Sequence, residues 1–559
     1  MHSSLQASQS HRRSLGASRN ATPVNEYRAD PRSITGKALH VAEHTQLLVV
    51  GAGPAGLAAA MEGVRRGLAV VLADENPVPA ETMGLDIPLH FGGRVGGAAR
   101  NRNAMMEAVL ASDPGIAAAF EAGVDVRLGT VVWGLFGNNA SMGWLPGLVA
   151  GLTQSGQEHG QSMMLRADRV VVAAGRRDMG LAFPGWELPG VLGIGAALHL
   201  ARRYGALDVH RAVVLGTTAE TLAACAALRD AGVEIAAIME QAATPAHSGV
   251  SAGIEVLSSH AVRRALGGAG GVEAVIVGSI GPDGSAIPGR DRTIACDAVL
   301  LGIGAVPAIE LLDALGCRMA FQPERGGFAP VLDAAQQTTV PGVYAAGDCA
   351  GIWPSKTAAR AVAEAEGRRA VAAVPDSAAA PDAPAFDLSA YRLGWVRASV
   401  IGAGVPDVGA EPHVCQCEEV TAREILEVRP PRYLGWPDDR RNARDLRLLL
   451  GDGPPNPDQV KRLTRAGMGL CQGRRCREQI AALLALGAGV PLSDVPLATH
   501  RAPVRPLPLA AAADTTEPAA MTEQWDTWFG MVSQYLPPWE VPTHYTAAGR
   551  DRDVEVASE

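Results

Sequence analysis

The sequence predicts an α/β protein in which one dinucleotide-binding unit is inserted into another, followed by a small cysteine-containing domain. Three observations predict this architecture. A strand runs into a glycine-rich loop at 46–56, a second strand–loop–helix–strand unit spans 212–240, and two close pairs of cysteines lie late in the chain. We therefore expect nucleotide-dependent redox chemistry next to a metal site.

Length and composition set the outer limits. The 559 residues suffice for three or four domains of about 150 residues each. A net charge of −9 makes a nucleic-acid-binding surface unexpected, and no uncharged apolar run reaches the roughly 18 residues of a membrane helix. Because residues 1–44 carry no apolar segment typical of an export signal, we expect a disordered tail there and a cytoplasmic protein.

The first glycine-rich loop reads Gly51-Ala52-Gly53-Pro54-Ala55-Gly56 and stands between a strand and a helix. In this motif the glycines permit a tight turn, close approach of a pyrophosphate and close helix–sheet contact, while the helix N-terminus faces the phosphates. Asp74 follows the next predicted strand, 69–73, where an acid accepts hydrogen bonds from a ribose, and Glu75 is a second candidate. A plain glycine-rich turn is the weaker interpretation.

Two later segments favour FAD as the nucleotide. Residues 170–175, VVVAAG, form a strand that turns at Gly175, and residues 341–349, PGVYAAGDC, contain Gly347-Asp348. In two-domain flavoproteins such a Gly-Asp places its acid on the ribityl chain, and the following helix, predicted here over 355–371, directs its N-terminus at the flavin. The alternative is a turn in which Asp348 caps a helix. Lys356 lies either near the flavin or in solvent.

The second nucleotide loop, VVLGTTAET at 213–221, departs from the motif. Gly216 is kept, but Thr218 and Thr221 replace the second and third glycines, and Glu220 would repel a phosphate from the first helical turn. We therefore expect this domain to have lost NAD(P)H and to serve a structural role or hold another ligand. No Cys-x-x-Cys lies near either loop, which excludes a thioredoxin-reductase-like disulfide relay.

The late cysteines are Cys415 and Cys417 in one pair and Cys471 and Cys476 in the other. Cys-x-Cys and Cys-x4-Cys are unusual spacings for structural zinc, whereas four thiolates in two pairs can ligate a [2Fe–2S] cluster. Zinc and a vestigial site remain alternatives. Helices are expected before and after the second pair, over 458–466 and 478–486.

The remaining cysteines and the charges near the second pair have simpler interpretations. Four isolated cysteines are expected to be small core residues: Cys225, Cys296, Cys317 and Cys349. Arg474 and Arg475 either place positive charge beside an anionic cluster or belong to a solvated face.

The sequence resembles the α, or B-type, subunits of heteromeric bacterial amino-acid and amine dehydrogenases, a family that includes hydrogen cyanide synthase, opine oxidase and hydroxyproline dehydrogenase. More distantly it resembles the α subunit of heterotetrameric sarcosine oxidase. The motifs that carry the resemblance are GAGPAG at 51–56, ADEN at 73–76, PGWELPGV at 184–191, GIGAVP at 302–307, VPGVYAAGDCAG at 340–351, VCQCEEVT at 414–421 and GMGLCQGRRC at 467–476. They cover about residues 46–510.

The resemblance implies a glutathione-reductase-like flavoprotein with two dinucleotide-binding domains and a small C-terminal [2Fe–2S] domain. It implies FAD and the cluster in this chain, and substrate oxidation on a partner β subunit that is similar to glycine or sarcosine oxidase and carries its own FAD. In some members an FMN lies at the subunit interface, and a small ferredoxin-like subunit or a respiratory carrier accepts the electrons. No residue of this chain stands out as catalytic.

The expected domains are a tail (1–44), a first FAD part (45–178), an inserted NAD-like domain (179–305), a second FAD part (306–372), a linker (373–410), the [2Fe–2S] domain (411–512) and a tail (513–559). The chain departs from the family at HFGGR, 90–94, and Arg94 in this segment is a candidate flavin-binding residue. An aromatic-rich segment at 523–540 is either an interface or part of the core.

Two other classes of function stay open. One is a stand-alone NAD(P)H-dependent FAD/[2Fe–2S] reductase, against which the damaged second loop argues. The other is a scaffold stapled by zinc.

Overall fold

The structure is a computed structural model, and it describes residues 41–78, 94–139, 145–154, 162–249, 253–372, 386–401, 411–431 and 445–513. Its first sheet carries the first glycine-rich loop. The elements below belong to one compact unit, His40–Gly137 and Leu145–Thr516. The expectations for 1–40, for the Ala/Pro-rich stretch at 373–385 and for the aromatic segment at 523–540 lie outside the described residues.

The first sheet has seven strands. Its elements in this part of the chain are β1 (Glu43–Val50), α1 (Pro54–Arg65), β2 (Val70–Asp74), α2 (Arg102–Ser112), α3 (Pro114–Glu121), β3 (Asp125–Leu128), β4 (Thr130–Phe136), β5 (Leu148–Gln154) and β6 (Ser162–Val172). The next strand, β7 (Arg176–Asp178), lies outside this sheet. The strand order is β3-β2-β1-β6-β5-β4, and a later strand pairs with β6. Because β1 runs parallel to both β2 and β6, the carboxyl ends of these three strands meet at one edge, where such sheets bind ligands.

The inserted unit has its own parallel sheet. Its elements are β8 (Val191–Gly193), α4 (Ile194–Arg202), β9 (Arg211–Leu215), α5 (Ala219–Asp230), β10 (Glu234–Glu240), β11 (Val256–Ser258), β12 (His260–Gly268), β13 (Gly271–Ile280), β14 (Ala286–Ala295) and β15 (Ala298–Leu301). The order β11-β10-β9-β15-β8 confirms the second dinucleotide-like unit. The antiparallel sheet β12-β13-β14 was not predicted.

The chain then returns to the first domain. This part contains β16 (Ala305–Pro307), α6 (Glu310–Leu315), β17 (Met319–Gln322), β18 (Gly327–Pro330), β19 (Val343–Ala345), α7 (Pro354–Ala358) and α8 (Arg360–Ala372). The single helix expected over 355–371 is wrong, because Ala359 has extended angles, φ −130° and ψ 103°, and separates α7 from α8. The break keeps the short α7 in contact with the turn after β19, a constraint that periodicity does not reveal.

Part of the predicted linker over 373–410 is in fact a buried helix. Helix α9 (Leu388–Val396) begins after Asp387, whose carboxylate accepts hydrogen bonds from two backbone N–H groups, and continues as a π-helix, Arg397–Ile401. Trp395 on α9 is fully buried. The Ala/Pro/Asp composition that predicted a linker covers only 373–385, so the prediction extended too far towards the cysteine domain.

The cysteine domain contains β20 (His413–Cys415), β21 (Val420–Thr421), α10 (Ala422–Leu426), α11 (Leu446–Asp452), α12 (Pro457–Thr464), α13 (Arg477–Ala488) and α14 (Leu509–Ala513). Helices α12 and α13 confirm the two helices predicted around the second cysteine pair. Trp186 of the PGWELPGV motif is buried and donates from Nε1 to the carbonyl of His413 at 2.8 Å, joining the inserted unit to β20. Among the described residues, no helix is long and apolar enough to span a membrane.

Candidate functional site

The first glycine-rich loop has the geometry that its motif requires. Gly51 has φ +106°, and a Cβ on it would collide with the carbonyl oxygen of Ala173 on the neighbouring strand end. A Cβ on Gly56 would collide with the carbonyl of Gly51, whereas a Cβ on Gly53 would meet only open space. Gly53 also begins α1 without a side-chain cap, so the first N–H groups of this helix remain available to a ligand.

A cavity of about 440 Å³ opens at this loop, and we call it the dinucleotide cavity. Five of the predicted cofactor residues line it, namely Gly51, Gly53, Asp74, Glu75 and Gly175. Six arginines that were not predicted as cofactor residues also line it: Arg176, Arg177, Arg202, Arg203, Arg474 and Arg505. Guanidinium groups and a helix N-terminus are the donors that a pyrophosphate prefers. For Arg176 and Arg177 the sequence does offer a signal, because both residues directly follow the segment VVVAAG at 170–175.

The two acids after β2 have different environments. Asp74 accepts hydrogen bonds from the N–H of Ala52 at 2.6 Å and from the backbone and side chain of Asn76, each at 2.8 Å. It therefore fastens the glycine-rich loop to the end of β2. Glu75 is less buried and pairs with Arg505 at 2.9 Å. Both predicted ribose contacts line the dinucleotide cavity, and Asp74 is the more buried of the two.

A buried ion pair holds the Gly347 turn that follows β19. Lys356 donates to the carbonyl oxygens of Gly347 at 2.6 Å and Gly351 at 2.8 Å, and it pairs with Glu366 at 2.8 Å. Glu366 in turn accepts the N–H of Gly347 at 2.8 Å. Lys356 is only 3% exposed, so the alternative that placed it in solvent is wrong, and burial lowers its pKa. The pair clamps both the N–H and the carbonyl of the glycine in the Gly-Asp motif.

Asp348 does not itself line the dinucleotide cavity but contacts Arg176, which does. Its carboxylate lies 3.3 Å from Nε of Arg176, which lines the cavity and also forms an ion pair with Glu220 of the inserted unit. Glu220 was expected to repel a phosphate in the second loop, but the structure gives it a partner in the first domain. Arg94 does not line the cavity, and its guanidinium instead donates to the carbonyls of Asp297 and Val272, at 3.1 and 3.0 Å.

The second nucleotide loop is filled by the protein itself. The hydroxyl of Tyr391 on α9 accepts the N–H of Thr217 at 3.0 Å and donates to Glu240, at the end of β10, at 2.8 Å. Thr217 and Glu240 are fully buried and hydrogen-bonded to each other. A Cβ on Gly216 would come within 3.0 Å of the same hydroxyl. The loop N–H and the acid that a dinucleotide would use are thus already bound.

The threonines that replace the motif glycines have structural roles. Thr218 caps α5 and accepts the N–H of Thr221 at 3.2 Å. The hydroxyl of Thr221 donates to the carbonyl of Gly302 at 2.6 Å, tying α5 to the end of β15. Both contacts stabilise the domain at the position where a nucleotide-binding loop needs glycine.

The structure brings the four late cysteines together in two pairs, Cys415 with Cys476 and Cys417 with Cys471. All are free thiols, and only Cys417 is exposed. The thiol of Cys417 lowers the pKa of Cys471 to about 6 by hydrogen bonding, and Cys476 lowers the pKa of Cys415 in the same way. Within the described part of the chain, no group of three or more His, Cys, Asp or Glu side chains is arranged to hold a metal ion. The structure by itself therefore does not assign a metal.

The other four cysteines are confirmed as core residues. They are 0–4% exposed, and burial raises the pKa of each thiol: Cys225, Cys296, Cys317 and Cys349.

A buried ion-pair network joins the cysteine domain to the dinucleotide cavity. Nε of Arg177 lies 2.7 Å from Glu310 of α6, and its Nη1 donates to Glu478 of α13 at 2.9 Å. Glu310 also lies 3.8 Å from Nε of Arg474. Arg177 and Arg474 both line the cavity, so the loop between Cys471 and Cys476 forms part of its wall.

Comparison with known proteins agrees with this geometry. Residues 45–367 match the family of pyridine nucleotide-disulphide oxidoreductases, and residues 438–516 match the sarcosine oxidase A3 domain. An opine oxidase subunit of Agrobacterium tumefaciens (strain Ach5) is 29% identical over 504 residues, covering 85% of this chain and 93% of that protein. Hydrogen cyanide synthase subunit HcnB of Pseudomonas protegens is 25% identical, covering 83% and 96%.

Among solved structures, L-proline dehydrogenase from P. horikoshii shares the fold, with a TM-score of 0.52 and 20% identity over 83% of this chain and 78% of that chain. The resemblance stated from the motifs is thereby confirmed. The chain belongs to the family of pyridine nucleotide-disulphide oxidoreductases, and its similarity places it with the subunits of opine oxidase, sarcosine oxidase and hydrogen cyanide synthase.

Proposed function

We propose that this chain is the FAD- and [2Fe–2S]-containing electron-transfer α subunit of a heteromeric amino-acid or amine dehydrogenase, of the opine, hydroxyproline or glycine type. The observation that carries the proposal is the shared wall between the two candidate sites. Arg474, from the loop between two of the cysteines, lines the same cavity as Gly51 and Gly53. A nucleotide cofactor and a sulfur-ligated cluster held there would be close neighbours.

The residues present fit FAD. The open space at Gly53, the uncapped N-terminus of α1 and the arginines of the cavity suit the pyrophosphate, and the carboxylate of Glu75 in the cavity wall suits the ribose. The clamp on Gly347 holds the turn that carries Asp348, whose carboxylate lies 3.3 Å from Nε of Arg176 in the cavity wall. When bound, FAD supplies reversible two-electron acceptance.

The cysteines fit a cluster by their donor chemistry. Four thiols lie in two interacting pairs, and the N–H of Gly467 donates to Sγ of Cys415 at 3.3 Å, the kind of contact that tunes a ligating sulfur. When bound, [2Fe–2S] supplies one-electron transfer. Cys415, Cys417, Cys471 and Cys476 would be the ligands.

In this proposal the C–N bond of the substrate is oxidised on a partner β flavosubunit, and this chain passes the electrons on. The relatives from opine oxidase and sarcosine oxidase are each named as one subunit of those enzymes, which supports a partner for this chain. An interface FMN and a small ferredoxin-like subunit remain part of the proposal, as does a cytoplasmic location.

Two additions test the proposal, one to the purified complex and one to the isolated chain. An amine or amino-acid substrate, chosen from a panel under anaerobic conditions, should bleach the flavin and reduce the cluster when the co-purified partner is present. NADH should leave the isolated chain oxidised, because Tyr391 occupies the loop N–H and the acid of the second nucleotide site. Dithionite, as the control, should bleach the flavin fully. Prompt bleaching by NADH would instead support the stand-alone reductase.

Substitutions in the first loop separate binding from folding. Gly53→Val should fold but lose most of its FAD, since the new side chain enters the space that a phosphate needs. Gly56→Ala should destabilise the apoprotein itself, because its Cβ has no room beside the Gly51 carbonyl. FAD content and urea unfolding of the apoproteins measure the two effects. Equal FAD retention by Gly53→Val and the wild type would contradict the assignment.

A further inference from the structure

One arginine belongs to both candidate sites. Arg474 lies inside the Cys471–Cys476 loop, where its N–H donates to the carbonyl of Cys471 at 3.1 Å. Its side chain lines the dinucleotide cavity, although the residue is only 3% exposed. A charged residue of the cysteine loop therefore forms part of the wall of the dinucleotide cavity.

The position of this charge is set by a buried acid. Glu310, 2% exposed at the start of α6, lies 3.8 Å from Nε of Arg474 and is itself anchored by Arg177 at 2.7 Å. Arg177 is fixed in turn by Glu478 of α13. Because these partners are shielded from solvent, the arrangement is rigid and little screened by water or salt.

We propose that Arg474 is a positioning residue whose charge raises the reduction potentials of the flavin and the cluster together. The inference rests on the proposed function, because it requires both groups. Reduction adds negative charge to each group, and a neighbouring guanidinium in a water-poor region stabilises both reduced forms. One charge thereby shifts both potentials in the same direction.

Arg475 is the matched control. It carries the same charge one residue later in the same loop, but its side chain is hydrogen-bonded to Gln416, between Cys415 and Cys417. Arg475 does not line the dinucleotide cavity. Its charge is therefore expected to act on the cluster and not on the flavin.

The test is an anaerobic redox titration of the full chain, loaded with FAD and iron, as wild type, Arg474→Gln and Arg475→Gln. Flavin absorbance and the electron paramagnetic resonance signal of the reduced cluster report the two potentials separately. We expect both potentials to become more negative in Arg474→Gln and only that of the cluster to do so in Arg475→Gln. An unchanged flavin potential in Arg474→Gln, or equal flavin shifts in both variants, overturns the inference.

A second variant keeps the test decisive if Arg474→Gln fails to hold its cofactors. Glu310→Gln removes negative charge from the same network, so both potentials should become more positive, and an unchanged flavin potential overturns the inference. Failure of the proposed function is seen first and separately, as a wild-type chain that binds no FAD or no iron.

Discussion

Replacing Arg177 with methionine is expected to destabilise the protein by about 3–5 kcal/mol, since it leaves two carboxylates buried without their main partner. Glu310 and Glu478 each pair with this guanidinium, whose side chain is 1% exposed. The shift of the urea unfolding midpoint, followed by tryptophan fluorescence, measures the loss.

Arg127→Met is the control for the loss of a doubly paired arginine. Arg127 pairs with Glu43 at 3.0 Å and Asp125 at 2.8 Å, but both acids are about half exposed. Its replacement should cost about 1 kcal/mol or less, because water solvates the acids that remain. Similar losses in the two variants would mean that the Arg177 network does not hold the cysteine domain on the flavin domain.

The proposed cluster predicts that replacing any one of Cys415, Cys417, Cys471 or Cys476 with serine removes nearly all iron from the chain. In the proposed cluster each of the four thiolates would be an iron ligand, and a serine hydroxyl is a poor substitute. Iron and acid-labile sulfide content, together with the visible absorption of the cluster, measure the loss. Cys225→Ala is the control, because this buried thiol on α5 packs in a different hydrophobic cluster from Cys415 and Cys476.

Two results would contradict the cluster. Retention of iron by all four serine variants would mean that other residues bind the iron. Zinc without iron in the wild type would support the scaffold stapled by zinc. FAD content should fall less than iron content in the serine variants, since none of the four cysteines belongs to the glycine-rich loop.

Local sequence was a good guide wherever a backbone geometry admits few residues. The positive φ of Gly51, the crowding at Gly56 and the open space at Gly53 each follow from the loop motif, and all three are found in the structure. The second loop, which the sequence predicts to be unsuited to a dinucleotide, is blocked for a reason that the sequence could not supply. Thr218 and Thr221 stand within the loop motif and can be recognised from the sequence. Tyr391, which occupies the site, comes from a segment predicted to be a linker.

Long-range contacts explain the other differences. Lys356 looked equally suited to solvent, and its burial depends on Glu366 ten residues later and on the carbonyls of a turn. The arginines of the cavity come from distant parts of the chain, so the positively charged cavity wall that they form is evident only from the tertiary structure. Arg94 was expected near the flavin from its place in the sequence, but it contacts the inserted unit in space.

The sequence by itself determined the two nested nucleotide units, the first binding loop and the set of four cysteines. Each depends on residues close together in the chain, where steric limits and ligand chemistry restrict the choice. The tertiary structure alone decided that helix α9 fills the second nucleotide site and that Arg474 joins the cysteine loop to the dinucleotide cavity. Those contacts depend on how buried apolar surfaces and ion pairs bring separate domains together, which local patterns do not encode.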